Sequence, residues 1–572
     1  MERRWQNAAA APPDAVERLS RELSVPPIMA RLLAQRGMSA IGDAHSFLRP
    51  NLDDLHDPFR MKELRTAAER IDRAIALGER IFVFGDYDVD GLTGAAILTE
   101  ILAALGGRVT PRIPERLREG YGLSRAAVEE AAALGCTLIV TADCGITAHA
   151  EAAIAKQLAI DLVITDHHQP RDGRPDAVAV VNPKQADCAY PFKDLCGVGV
   201  AFKVLDGLMR IRGAHGLDDR LRAALDLVAL GTIADMVPLR GENRVFARFG
   251  LEALTRSRRP GLRALLQSSG LGQQEALESG DVGFILAPRL NAAGRLGDSL
   301  SGIRLLLTMD PVEAAAMARA LETVNLDRRR LDDQVEKDAC AQLESGVGEV
   351  ALEPVVLWSE RWHSGVLGIV ASRMAERFRR PVILIALENG VGRGSGRSVA
   401  DFDLIEAVSE CRECLLEFGG HRHAIGLSIR SDQLESFRTM LAAASRPRLE
   451  PLDLQPVLTV DAEAPLESAT LEMTRYLSML APFGLGNPEP VFSTTGVGLA
   501  DAAKVVGKDT LRLTAYQNGT TRCCVGFRLG TWAGRLNDGG CSSFSIAYTP
   551  SVNRWRGGET VELKIRDLRP DA

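Results

Sequence analysis

No stretch of about 18 uncharged apolar residues occurs in the chain, and the N-terminal "MERRWQNAAAAPPDAVERLS" has no apolar core of the kind a secretory leader carries. A cytosolic (cytoplasmic) protein with no membrane partner is expected. Paired cysteine spacing is missing too. Ten cysteines, Cys136, Cys144, Cys188, Cys196, Cys340, Cys411, Cys414, Cys523, Cys524 and Cys541, are scattered without the pattern of a disulfide framework or a zinc ribbon. They read as reduced thiols. The single C-x-x-C, Cys411 to Cys414, has no second pair and lies in the helix-like "LIEAVSECRECLLEF", which favours ordinary helix positions over a metal or redox site. Basic charge is not in surplus either: 68 Lys and Arg face 75 Asp and Glu, a formal net charge of -7. That argues against nonspecific coating of nucleic acid and leaves room for a local basic channel, because net charge says nothing about distribution.

What is present is an ordinary globular composition, 46% hydrophobic and 25% charged, which excludes a largely disordered chain. At 572 residues the chain is too long for one core, and roughly three to four domains are expected at ~100–200 residues each. From about residue 65, amphipathic stretches alternate with short β-branched runs: "RIFVFG", "GGRVTPRIP", "CTLIVTAD", "DLVITDHH" and "AVAVVNP". Such alternation predicts right-handed βαβ units and a parallel sheet, an α/β fold whose functional groups collect beyond the carboxyl ends of the strands.

The unusual residues stand at those ends. Asp86, Asp88 and Asp90 follow one run, Asp143 in "TADCGIT" follows another, and Asp166 to His168 follow a third. Asp235 ends the apolar "LDLVALGTIAD". Singly, Asp143 or Asp235 reads more readily as a turn or helix-cap residue than as a ligand. Together they do not. Residues at i, i+2 and i+4 point the same way while the chain stays extended, so "DYDVD" crowds like charges unless a cation neutralises them. An EF-hand is excluded because "LTGAAI", after "DYDVDG", offers no acid where the bidentate glutamate belongs. Oxygen donors with one or two imidazoles and no thiolate pattern suit Mn²⁺ or Mg²⁺, and a phosphate-chemistry site with two ions ~3.5–4 Å apart remains.

"GDYDVDG", "DCGIT", "DHH" and "GTIADMVPL", in this order, resemble the four motifs of the DHH phosphoesterase superfamily, and within it the bacterial single-strand-specific 5′→3′ exodeoxyribonucleases. The similarity continues through "LAPRLNAAGRLGD", then through "WHSGVLGIVASRMAERF", "GRGSGRS" and "FGGHRHAIG", which look like a DHH-associated domain, to "APFGLGNPEPVF". The resemblance implies that Asp90, Asp143, His167 and Asp235 hold one ion, and that Asp86 and Asp88, with Asp143 bridging, hold or orient the other. It implies that His168 faces the scissile phosphate and that Asp166 orients the metal-binding imidazole. Arg289, Asn291 and Arg295, read as donors in a glycine-containing loop, suit phosphate oxygens. Ser395 and Arg397 among their glycines, Arg373 on a neighbouring helix, and "GGH" ending at His421 are expected to grip the 5′ end of a strand.

The implied layout is an N-terminal helical segment (1–65), a parallel-sheet DHH domain (66–310), a connecting helix (311–345), a smaller α/β DHH-associated domain that binds nucleic acid (346–450), and an oligonucleotide-binding β-barrel (451–572). On the connecting helix, Arg328, Arg329 and Arg330 read as a solvated face balanced by Asp332 and Asp333. In the barrel, Tyr516, Phe527, Tyr548 and Trp555 beside Arg512, Arg522, Arg554 and Arg556 are candidate stacking residues, Trp555 foremost. The expected activity is two-metal hydrolysis of single-stranded DNA to 5′-mononucleotides in recombination and repair, by a monomer partnered with single-strand-binding protein and a DNA helicase. Two rivals are weighed against it. A phosphoesterase for short oligonucleotides, cyclic dinucleotides or pyrophosphate would be generally shorter and lack the barrel. A non-catalytic DNA-binding scaffold would have lost metal-site acids, and here Asp88, Asp90, Asp143, His167 and Asp235 are all present.

Overall fold

A computed structural model describes residues 3–115, 119–171, 173–296, 299–345, 353–538, 543–554 and 558–571. The chain opens with strand β1 (Arg4–Asn7) and helices α1 (Pro13–Leu23), α2 (Pro27–Gln35) and α3 (Ile41–Leu48). Helix α4 (Leu64–Ala76) leads into β2 (Arg80–Gly85), helix α5 (Val89–Ala104), β3 (Arg108–Arg112), β4 (Leu138–Ala142), β5 (Asp161–Thr165) and β6 (Ala179–Val181). These strands form a parallel sheet in the order β3-β2-β4-β5-β6. Alternation along β2 explains its central place. Ile81 and Val83 join one apolar cluster with residues of α4 and α5, while Phe82 and Phe84 join another with Ala127, Val128 and Ile164. A strand buried on both faces reads as a continuous apolar run. All carboxyl ends of a parallel sheet lie at one edge, which gathers the residues that follow β2, β4 and β5.

Helices α6 (Gly197–Ile211), α7 (Leu225–Ala234), α8 (Gly241–Thr255) and α9 (Ala287–Leu296) add to this unit. The last corrects the sequence reading of a glycine-containing loop at Arg289 to Arg295. Ala287, Leu290, Ala292 and Ala293 are buried on one face, and Gly294 lets α9 approach the carbonyl of Tyr87, which a Cβ there would meet at 3.1 Å. Apolar periodicity outweighed the single glycine.

The connecting helix is α10 (Pro311–Glu344), started by the Asp310 side chain accepting from the Val312 N–H at 2.8 Å, with proline in its first turn. Its arginines are not a uniform solvated face. Arg328 is buried, paired at 3.0 Å with Asp332, whose side chain is wholly buried. Beyond it, β7 (Val355–Ser359), helix α11 (Leu367–Phe378), β8 (Val382–Glu388), β9 (Val391–Arg397), β10 (Leu415–His421) and β11 (Ala424–Arg430) build a mixed sheet in the order β10-β11-β9-β8-β7. "LIEAVSECRECLLEF" is not one helix: it divides into a helix at Leu404–Ser409, a 3₁₀ turn at Arg412–Cys414 and β10, because Cys411 and Cys414 are drawn into the apolar cluster beneath this sheet. The nine described cysteines are all free.

The last domain comprises β12 (Val457–Val460), β13 (Ala462–Glu463), β14 (Phe492–Leu499), β15 (Lys504–Val506), β16 (Thr510–Gln517), β17 (Thr520–Phe527), β18 (Phe544–Asn553) and β19 (Thr560–Pro570). Seven of these strands run β13-β14-β18-β19-β17-β16-β15, and pairing of β14 with β16 closes the sheet into a barrel. The first residues of the chain belong to the same body. β1 pairs in parallel with β12, and Leu19, Met29, Leu32, Leu33 and Phe47 share one apolar cluster with Leu480, Phe492 and Leu511. Among the described residues no helix is long and apolar enough to cross a membrane.

Candidate metal centre and nucleic-acid interface

At the end of β2 the chain turns directly into α5, and the turn needs Gly91: a Cβ there would stand 2.5 Å from the backbone of Asp86. The extended "DYDVD" read from sequence is therefore a strand end followed by a helix start. Asp88 caps α5, its Oδ1 accepting from the N–H groups of Asp90 (3.0 Å) and Gly91 (3.1 Å). Asp90, in the first turn, accepts from Gly197 (2.5 Å) and Val198 (2.7 Å) at the start of α6, where N–H groups converge on an anion. Asp143 follows β4 with φ 65°, its N–H bonded to the Thr165 carbonyl at 3.0 Å. Gly197 packs so closely on Asp143 that a Cβ would lie 2.5 Å from it.

His167 and Asp235 complete the cluster from the ends of β5 and α7. His167 Nε2 lies 3.1 Å from Asp143 Oδ1, 3.6 Å from Asp235 Oδ2 and 3.9 Å from Asp90 Oδ2. Three sets of donor atoms fall within 4.8 Å of one another: Asp90, His167 and Asp235; Asp86, Asp88 and Asp143; and Asp143, His167 and His168. Asp143 joins the sets, so two neighbouring cations would share it.

The buried atoms pass a test of fit. Asp143 Oδ1, Asp235 Oδ2 and His167 Nε2 are buried without a hydrogen-bond partner among the described residues, a cost of about 1–3 kcal/mol each that a cation would remove. Burial and the charge of Asp88 push the Asp90 carboxyl up to about 7, and burial with neighbouring carboxylates raises Asp143 and Asp235 well above the ordinary range. Burial, with His168 nearby, drops His167 to about 3, which keeps its imidazole neutral and its lone pair available. Carboxylate oxygens with one neutral imidazole match Mn²⁺ or Mg²⁺.

His168 stands apart, half exposed on the open side. Its Nδ1 is 2.8 Å from Asp166 Oδ1 and 2.9 Å from the Tyr121 hydroxyl. Burial opposes its charge, yet the Asp166 bond and the charges of Asp166, Asp90 and Asp88 raise its pKa. Asp166 thus orients His168, where the resemblance assigned it to the metal-binding imidazole. The reason is local: Asp166 Oδ1 also accepts from the N–H groups of His167 (2.7 Å) and His168 (3.0 Å), which folds the carboxylate toward the second ring. Tyr121 was missed by sequence reasoning. Its one signal is an aromatic between Gly120 and Gly122, both at positive φ.

The expected phosphate-binding residues divide. Arg289 is held by Glu322 of α10 and by the Ile285 carbonyl, so it braces the connecting helix. Asn291 accepts from the Val89 N–H at 3.1 Å and supports the start of α5. Arg295 donates to the Gly365 carbonyl at 3.4 Å, across to the second sheet's domain. On α11, Arg373 reaches Asp332 and Glu336, each at 3.5 Å. Ser395 accepts from Arg397 at 3.1 Å, beside Gly368, where a Cβ would meet Arg397 Nη2 at 2.7 Å. Arg397, Ala424 and His421 stand in register across β9, β11 and β10. Arg171, just beyond His168, donates to the Gly420 carbonyl at 3.1 Å, so this row lies beside the acidic cluster. Of the barrel aromatics, Tyr548 is buried and bonded to Thr494, which removes it as a stacking face, whereas Tyr516 and Phe527 are exposed. Trp555 and Arg556 lie outside the described residues.

A parallel-sheet domain carrying a carboxylate–imidazole cluster, a second α/β domain closing over it and a β-barrel define a DHH-type phosphoesterase. Family models match in that order: the DHH family N-terminal domain over residues 80–232, the DHHA1 domain over 349–445 and the RecJ OB domain over 460–567. The chain belongs to the RecJ family. It is 39% identical over 558 residues to the single-stranded-DNA-specific exonuclease RecJ of Bacillus subtilis, covering 97% of this chain and 69% of that one. Against the protein of the same name from Dickeya dadantii the identity is 38%, over 96% of both chains. The crystal structure of Thermus thermophilus RecJ in complex with Mn²⁺ superimposes with a TM-score of 0.84 at 33% identity, covering 100% of this chain and 80% of the other.

Proposed function

We propose that the protein is a single-stranded-DNA-specific exonuclease that hydrolyses phosphodiester bonds from the 5′ end and releases 5′-mononucleotides during recombination and repair in the cytoplasm. The observation that carries this is Asp143, shared between two donor sets on an open, histidine-lined edge. Mn²⁺ or Mg²⁺, when bound, polarises the phosphate and lowers the pKa of water. Asp90, Asp143, His167 and Asp235 would hold one ion, and Asp86 and Asp88, with Asp143 shared, would hold the other. His168, oriented by Asp166, whose carboxylate favours the charged imidazole, meets the phosphate oxygens from the exposed side and steadies the charge that grows on them. Ser395, Arg397 and His421 bind the strand beyond the cluster, with Arg295 and Arg373 at the domain boundary. The exposed barrel residues Tyr516 and Phe527 extend the path by stacking. A monomer supplied with ends by a helicase and single-strand-binding protein fits this arrangement.

The test is degradation of single-stranded DNA labelled at either end, with Mn²⁺, by the wild type and Asp143→Asn. Immediate mononucleotide release from the 5′ label, no release from a duplex and a loss of at least ~10³-fold in the variant are expected. Binding without cleavage under any metal would favour a scaffold. Cleavage confined to the shortest oligonucleotides would favour a small-substrate phosphoesterase.

A further inference from the structure

"APFGLGNPEPVF", residues 481–492, takes no part in the chemistry above, yet its first two carbonyls join those of Phe47, Met479 and Leu480 around one buried cation. Arg244 of α8 is 2% exposed. Its Nε donates to the Phe47 carbonyl (2.7 Å), Nη1 to Leu480 (2.9 Å) and Pro482 (3.4 Å), and Nη2 to Met479 (3.1 Å) and Ala481 (2.8 Å). Among the described residues no carboxylate pairs with it. The guanidinium also lies 3.8 Å over the Phe47 ring, but burying it against carbonyls and one ring without a counter-charge is costly, which fits a positional role better than a stabilising one. Asn487, wholly buried, donates to the same Leu480 and Pro482 carbonyls at 2.8 and 2.9 Å and accepts from Arg36 at 3.1 Å. One turn thus ties the N-terminal helices, the barrel and the DHH domain together.

The other side of the turn holds the segment that carries Asp235. Residues 236–240 alone separate that carboxylate from α8. The Leu239 N–H donates to the Leu485 carbonyl at 2.8 Å, and Arg240 Nε to the Gly486 carbonyl at 2.7 Å. Both glycines are needed for this approach: a Cβ on Gly484 would lie 2.7 Å from Leu239, and Gly486, at φ +72°, faces Pro238. Asp90 and Asp88 are steered by N–H groups, whereas Asp235 sits at the C-terminal end of α7, where the helix dipole repels a carboxylate, and its Oδ2 accepts no hydrogen bond from the described residues. Its placement depends on the backbone that follows it.

We propose that the turn at residues 479–488 is a clasp that positions Asp235, with Arg240, Arg244 and Asn487 as positioning residues, so that one cation site is set by docking of the barrel and the N-terminal helices. This rests on the metal reading of Asp235. The experiment measures Mn²⁺ binding to the full chain by calorimetry without DNA, and the Mn²⁺ dependence of hydrolysis on a tetranucleotide and on a long strand, for Arg240→Met and Asn487→Ala. Arg240 is exposed, so its variant folds irrespective of how the buried one behaves. The expected result is about tenfold weaker binding of one Mn²⁺, with the half-maximal Mn²⁺ concentration raised equally for both substrates and the rate recovering at saturating metal. Arg240→Met that is folded by circular dichroism and titrates like the wild type overturns the proposal, as does a defect confined to the long strand. No Mn²⁺ binding by the wild type would overturn the functional reading itself, and the clasp with it.

Discussion

Aspartate is one chemical group given several tasks here by its surroundings. Asp88 caps a helix, Asp90 is steered by two N–H groups, Asp166 aims a histidine, and Asp143 keeps a central oxygen that has no hydrogen-bond partner among the described residues. The motif acids were legible in the sequence because oxygen donors piled up after β-branched runs. Arg289 was not, because its partner Glu322 lies a helix away in sequence. A carboxylate far from the cluster gives a test of this environmental control. Glu79 is mostly buried and accepts from the Thr137 hydroxyl at 2.6 Å and from Arg70 at 2.7 Å. Burial opposes its charge, but those bonds prevail and hold its pKa below the ordinary value. Its charge is therefore better accommodated in the folded state than in the unfolded one. That contribution is fully present above the unfolded value of about 4.3 and is lost as pH falls through the lower folded value. Glu79→Gln is expected to cost about 1 kcal/mol in urea unfolding at pH 7, with the gap to wild type closing below about pH 4. A gap independent of pH would show that the pair contributes nothing.

Among elements, the strands of the first sheet and the long helix α10 followed their sequence signals, since both rest on local period and end signals such as Asp310-Pro311. Local signals failed at the helix–turn–strand around Cys411, where tertiary partners decided, whereas at α9 the apolar periodicity was present and outweighed the glycine. On α10 the pair of Arg328 with Asp332 is hidden at the junction with α11, with Asn325 accepting from Arg328 at 2.9 Å. Arg328→Met leaves a buried carboxylate with Arg373 3.5 Å away. A loss of about 3 kcal/mol in urea unfolding is expected, and Arg328→Met with Asp332→Leu should recover most of it. Equal losses in the single and double variants would mean that the pair is not coupled.

Across the whole molecule, the two ends of the chain form one body. Leu19, Met29, Leu32 and Leu33 fill a cluster shared with Leu480 and Phe492, and β1 lengthens the pairing of β12. Removal of residues 1–50 should expose this apolar face and take Phe47 from Arg244. Limited proteolysis is then expected to cleave the barrel under conditions that leave the intact chain whole; a barrel that stays resistant would show that it folds without the N-terminal helices. The sequence by itself determined the parallel sheet, the order of the domains and the acids of the cluster, because strand period, helix ends and motif spacing are written within a few residues of one another. Tertiary structure alone decided that Arg289 is spent on Glu322 and that residues far apart in sequence hold the segment behind Asp235. Those outcomes depend on which surfaces meet across domains, and no local spacing records that.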